Sequence, residues 1–168
     1  MNWYAFWLIL HITAAIIAFG PTFVFPVVGP MASRDPRKGP VILEVFEALE
    51  DKLIVPFALT MPVSGAGLII TKHIDLTNTK WLGAAIILYI VAVLLAVFHQ
   101  VPVTKRMIKL LRQMPEPMPG AAPVGPPAEF GALRKRTQIV GMILTVLLLT
   151  IIVLMIWGKE GGYTVLTQ

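Results

Sequence analysis

Two histidines, His11 and His99, stand inside long runs of this sequence that hold no Asp, Glu, Lys or Arg. An ionisable side chain at membrane depth is costly to leave unpaired, so each is a candidate functional group. Neutral imidazole ligates iron through one nitrogen, and it also exchanges protons near neutral pH. His11 lies eight residues after Trp3, ~12 Å along a helix. Trp7, Ala14, Ala15 and Ala18 share its helical face, which leaves room for a flat cofactor or for a neighbouring helix. Tyr89 follows Trp81 by eight residues, level with His11, and its hydroxyl is a partner for the imidazole. His99 follows Trp81 by eighteen residues, ~27 Å along the same helix. Both helices run inward from one side, so the two rings lie ~15 Å apart in depth. That spacing disfavours one iron held between them. The expectation is a single haem b with His11 as its metal ligand, and with Tyr89 and His99 as further binding residues. His99 then serves as an interfacial group or as a quinone or proton site. The alternatives are a hydrogen-bonded packing histidine at position 11 and a snorkelling one at 99.

Other chemistries are thinly represented. There is no cysteine, which excludes disulfides, thiolate metal sites, iron–sulfur clusters and a cysteine nucleophile. No GxSxG, HExxH, P-loop or GxGxxG pattern occurs, so an enzymatic activity is left open and unnamed. Glu44, Glu47, Glu50 and Asp51 cluster just before a charge-free run. Pairing with Arg34, Arg37 or Lys52 is expected of them before acid–base work. The eight methionines are scattered and read as core filler.

The elements that position these residues follow from the charges. Of 168 residues 57% are hydrophobic and 14% charged, against about 25% charged in a soluble domain. The charged residues avoid four stretches: 3–28, 53–71, 81–104 and 137–157. Each reaches the ~20 residues that a helix needs to cross ~30 Å of hydrocarbon. Within lipid the backbone must satisfy its own hydrogen bonds, so the spans are helices. The fold class is all-α: a polytopic membrane protein, an antiparallel four-helix transmembrane bundle forming one membrane domain over residues 1–168. The first span lacks a basic flank and is expected to be retained, not cleaved as a signal peptide.

Sidedness comes from Lys and Arg. Eleven fall in the first loop, the start of the second helix and the third loop; Lys72, Lys80 and Lys159 fall on the other side. Loops 1 and 3 are therefore expected in the cytoplasm of a bacterial inner membrane, with both termini outside. Trp3, Trp7, Trp81 and Trp157 all fall at the outer interface in this arrangement, where indole rings prefer to sit. The net charge of +5 is thus topology, and the partner it implies is the lipid bilayer and not nucleic acid.

Three connections follow. Residues 41–52 have helical amphipathicity, which suits an interfacial helix or a plain extension of the second span. Residues 72–80 form a short outer turn that makes helices 2 and 3 antiparallel neighbours. Residues 113–131 hold six prolines and three glycines and read as an extended cytoplasmic linker. Small residues mark the packing faces: Ala14, Ala15 and Ala18; Ser64, Gly65 and Gly67; Gly83, Ala84, Ala92 and Ala96; Gly141 and Thr145. Pro21, Pro26, Pro56 and Pro62 are expected to kink the first two helices.

The runs LHITAAIIAFGPTFVFPVV and KWLGAAIILYIVAVLLAVFH, with the basic third loop, resemble a bacterial family of predicted four-helix integral membrane proteins of unknown function. That family is distantly similar to HemJ-type protoporphyrinogen oxidases and to the copper-resistance D membrane domain. The resemblance implies a b-type haem on the first-helix histidine, here His11 in Leu10-His11-Ile12, and retains the aromatic-His pair Phe98-His99. The HemJ-type pattern W-L-H-x-K reads Trp81-Leu82-Gly83-Ala84-Ala85 here, with alanine at the lysine position. Three functions follow for testing. One is haem b or a similar porphyrin or quinone bound in the outer half of the bundle, for electron transfer or haem handling. Another is an accessory subunit of a larger respiratory or photosynthetic type complex, with other subunits or a second copy as partners. The third is a small-molecule or metal transporter.

Overall fold

The computed structural model describes residues 2–25, 27–29, 39–113 and 128–158. Four helices in it are long and apolar enough to cross a membrane: Trp3–Gly29, Gly39–Lys72, Lys80–Arg112 and Ala128–Trp157. There is no strand among the described residues. The first helix is regular over Trp3–Phe19, named α1, and tightens into a 3-10 turn at Gly20–Phe23. The others are α2 (Gly39–Lys72), α3 (Lys80–Arg112) and α4 (Ala128–Trp157).

Three helices overrun their charge-free cores on the basic side, because lipid limits only the apolar part of a helix. Residues 41–52 are the start of α2 and not a separate interfacial element. Residues 128–131, expected in the linker, are the first turn of α4. The remainder of the linker and the tail from Lys159 lie outside the described residues, as do Pro26, Arg34, Arg37 and Lys38. The overrunning ends pack on one another. Leu43, Met107, Ile108 and Leu133 form a buried cluster, with Phe46, Val103, Leu110, Leu111 and Phe130 against it. Phe25 stacks on Phe46 with ring centroids 4.5 Å apart. Ion pairs rim this core: Lys105–Asp51 at 3.4 Å, Arg112–Glu44 at 3.3 Å, and Arg106 with Glu129. Asp51 and Glu44 of α2 therefore pair across to α3, while Arg34 and Arg37, expected as their partners, lie outside the described residues. All of these pairs are half-exposed and contribute at most about 1 kcal/mol each.

Within the membrane the backbones approach most closely in two pairs, α1 with α2 and α3 with α4. Small residues allow this in the first pair. Ala14 and Ala18 of α1 and Ser64 and Gly67 of α2 are buried. In α3 the buried small residue is Ala85, while Gly83 and Gly141 face open space. Each pair is pinned at the end away from the basic inter-helix segments by a tryptophan lying on a glycine. Trp7 lies on Gly67, and Trp81 lies on Gly158. Trp3 and Trp157 stay exposed, as interfacial rings do. Lys72 adds a cation–π contact 4.3 Å above the Tyr4 ring.

The turn between α2 and α3 is closed by Asp75. Its carboxylate accepts hydrogen bonds from the Thr77 N–H and hydroxyl and from the Asn78 amide. These bonds, the Thr77 hydroxyl first, hold the carboxyl below the usual carboxylate range.

Prolines shape the helices more than by kinking. A proline has no N–H, and its ring crowds the carbonyl four residues back. Val55-Pro56 and Val101-Pro102 each follow a π-turn, Glu50–Ile54 and Ala96–Gln100. In these turns Val55 N–H reaches back to the Glu50 carbonyl and Val101 N–H to the Ala96 carbonyl. The wider turn relieves the crowding. Pro62 stays within regular helix, and its missing N–H is replaced from another helix, as described next.

Candidate functional site

His11 projects from α1 into the seam with α2. Its Nδ1 lies 2.9 Å from Ser64 Oγ. The Ser64 hydroxyl already donates to the Thr60 and Met61 carbonyls, at 3.0 and 3.1 Å. A hydroxyl has one proton; with it on either helix carbonyl, the imidazole donates Nδ1–H to Ser64 Oγ. In that tautomer Nε2 is the lone-pair nitrogen, directed away from Ser64 by ring geometry. The ring edge passes Gly65, where a Cβ would stand 3.6 Å from His11 Cε1. Ser64 itself is completely buried. Donation through Nδ1 to a fixed acceptor is the arrangement that orients a metal-binding imidazole.

The small-residue face does not stay open. Ala14 and Ala18 are closed over by α2, and Trp7 covers Gly67. Of the two uses that the sequence allowed for this face, the neighbouring helix takes it.

Tyr89 does not meet His11 in a shared hydrogen bond. Its hydroxyl donates to the Ala58 carbonyl at 2.5 Å. Ala58 lies four residues before Pro62, so its carbonyl is the one that Pro62 leaves without a helical donor. Tyr89 of α3 supplies the missing hydrogen bond and ties the two helix pairs together mid-span. The sequence held this signal in the offset of four between Ala58 and Pro62. Tyr89→Phe is expected to cost about 1–2 kcal/mol by stranding a buried carbonyl. With Pro62→Ala in the background the carbonyl regains its N–H, and the cost of Tyr89→Phe should shrink to a few tenths. Reversible unfolding of the four proteins in detergent checks it.

His99 sits on the second π-turn, with its Nδ1 buried and without a hydrogen-bond partner among the described residues. Gln100 Oε1 beside it is in the same condition. The structure therefore distributes His11, Tyr89 and His99 over three separate environments. No group of three His, Cys, Asp or Glu placed to hold a metal ion occurs among the described residues. A buried carboxylate, Glu50, was not singled out from sequence. It is only 5% exposed, at the join of α2's charged end and its span.

With the four spanning helices in place, the comparison with known proteins is decisive at one level. Residues 6–159 match the model of a family described as predicted integral membrane protein (DUF2269). The chain belongs to that family. The match runs from the first turn of α1 to just past α4, so the DUF2269 unit is the whole four-helix bundle. No curated protein and no solved structure matches the chain.

Proposed function

We propose that this DUF2269 protein binds haem b, or a similar porphyrin or quinone-like molecule, through His11 in the outer half of the bundle of a bacterial inner membrane, in electron transfer or haem handling. The observation that carries the reading is the His11–Ser64 hydrogen bond. It holds the ring by one nitrogen, and in the Nδ1–H tautomer this supports Nε2 as the ligand-binding atom. Bound there, haem would supply one-electron exchange, and the chain's own part is to hold and orient the imidazole. The likeness of Leu10-His11-Ile12 to the HemJ-type first helix points the same way. The asymmetry of eleven basic residues against three supports cytoplasmic first and third loops and outward termini.

The test is the absorption spectrum of the protein purified after expression with haem supply. The expected result is a Soret band that is lost in His11→Ala. No band in the wild type, or a band unchanged in His11→Ala, overturns the reading.

A second reading has its own observation. Ala14 and Ala18 are closed over by α2, so the face that the sequence offered to a cofactor is used for helix packing. This favours an accessory subunit of a larger membrane complex. It predicts stable co-purification with other subunits in mild detergent and no chromophore.

A further inference from the structure

Glu50 stands apart from the His11 reading and does not rest on it. Its carboxyl is 5% exposed. Oε2 has no hydrogen-bond partner among the described residues. Oε1 receives only the Thr104 hydroxyl, at 3.5 Å, far longer than the 2.5–2.7 Å usual for a hydroxyl on a carboxylate. Lys105, whose charge acts on Glu50, is itself paired with Asp51 at 3.4 Å. α1, which also packs on the first π-turn, carries no charged residue. Among the described residues no basic side chain forms an ion pair with the Glu50 carboxylate, which such burial ordinarily requires.

The polar group set against it is an oxygen, the Thr104 hydroxyl. Thr104 is itself buried. Gln100 precedes Thr104 by four residues and so shares its helix face, and Gln100 Oε1 is buried without a partner. Pro56 and Pro102 follow the two π-turns, and each withholds an N–H from a main-chain carbonyl of the turn before it. π-Turns recur at functional sites, and interrupted helices in membrane proteins offer such carbonyls to sodium ions. We propose that Glu50, Thr104 and Gln100, on the paired π-turns, form a binding site for a monovalent alkali cation of sodium size at the cytoplasmic-type end of the bundle. All-oxygen donors suit a hard cation. Asp51 is paired with Lys105 and Glu47 lies 4.0 Å from Arg112, which leaves one uncompensated carboxylate to match a single positive charge. The ion would bridge α2 and α3 where the two helix pairs meet.

The experiment uses the full chain in detergent. Thermal unfolding is followed in sodium chloride and in choline chloride at equal ionic strength and pH. The expected result is a midpoint higher in sodium by on the order of 5 °C, saturating with concentration. The sodium increment should vanish in Glu50→Gln and shrink in Thr104→Val. Equal midpoints in the two salts for the wild type overturn the site, as does an increment retained in Glu50→Gln. If Glu50→Gln does not fold, Gln100→Leu and Thr104→Val decide, since both keep the charge and must still lower the sodium increment. A midpoint that follows proton concentration and ignores sodium assigns Glu50 to a proton and also overturns the metal-ion site. None of these outcomes depends on a chromophore, so the His11 reading and this one fail separately.

Discussion

Gly67→Val is expected to destabilise the bundle by about 3 kcal/mol, the upper end of what overpacking a well-fitted site costs. A Cβ at position 67 would fall inside the Trp7 indole. The ring has no flexible end to move aside, so either the indole swings out of the seam or α1 and α2 separate. In lipid, separation removes more than a side-chain contact, because close backbone approach is itself what holds transmembrane helices together. Ala14, Ala18 and Ser64 are buried in the same seam, so a wedge at Gly67 loosens packing down the pair. The helix preference for a residue other than glycine works in the opposite direction, by up to about 1 kcal/mol. It is too small to change the sign. Gly83→Ala isolates that opposing effect, since nothing stands within 4 Å of a Cβ there; it should be neutral or slightly stabilising. Unfolding midpoints of the two variants against the wild type measure the difference. Equal stability of Gly67→Val and wild type would show that Trp7 is not pinned on Gly67.

The parts of this architecture governed by transfer from water to lipid were legible in the sequence. A charge-free stretch of about twenty residues has one solution in a bilayer, and all four such stretches are helices. The ends were less legible. Residues 41–52 and 128–136 carry charge and apolar periodicity together. Their helices stop where their partners stop, so the inner core of Leu43, Met107, Ile108 and Leu133 depends on pairings between segments distant in sequence. Small residues showed where helices can approach, and α1 and α2 use theirs. Gly83 and Gly141 do not, because a small side chain permits contact without choosing the partner. Proline was expected to kink the first two helices, and the local form it takes is set by its surroundings. Pro56 and Pro102 follow π-turns, and Pro62 stays in regular helix with its deficit met by Tyr89. At the candidate site His11 was legible as a lone ionisable group at depth. Ser64 was legible only as a small residue, because its role needs the register of α1 against α2. Glu50 read as one surface carboxylate among four. Its burial comes from α3 laying Thr104 over it.

Ser64→Ala is expected to cost about 2–3 kcal/mol, and to do so largely through His11. Alanine lacks only the hydroxyl oxygen, so little of the loss comes from a cavity. What disappears is the acceptor for the Nδ1–H, 2.9 Å away in a seam where Ser64 is wholly buried. A buried donor left without a partner loses the full value of its desolvation. The hydroxyl's own bonds to the Thr60 and Met61 carbonyls matter less, since those carbonyls also have helical donors available. The distinction is measurable in a cycle of His11→Leu, Ser64→Ala and the double variant. If the imidazole–hydroxyl bond dominates, the double variant is more stable than the sum of the single losses implies, by about 1–2 kcal/mol. Additive losses would mean that Ser64 serves only its own helix. The same cycle bears on ligand binding. An imidazole whose Nδ1–H has lost its acceptor can turn or change tautomer, and positions of this kind typically alter ligand affinity by about 10–100-fold. A haem bound at His11 Nε2 should therefore be weakened in Ser64→Ala and absent in His11→Leu. A histidine that only packs the seam would give the stability coupling with no spectroscopic counterpart, so one set of four proteins separates the cofactor reading from the packing one.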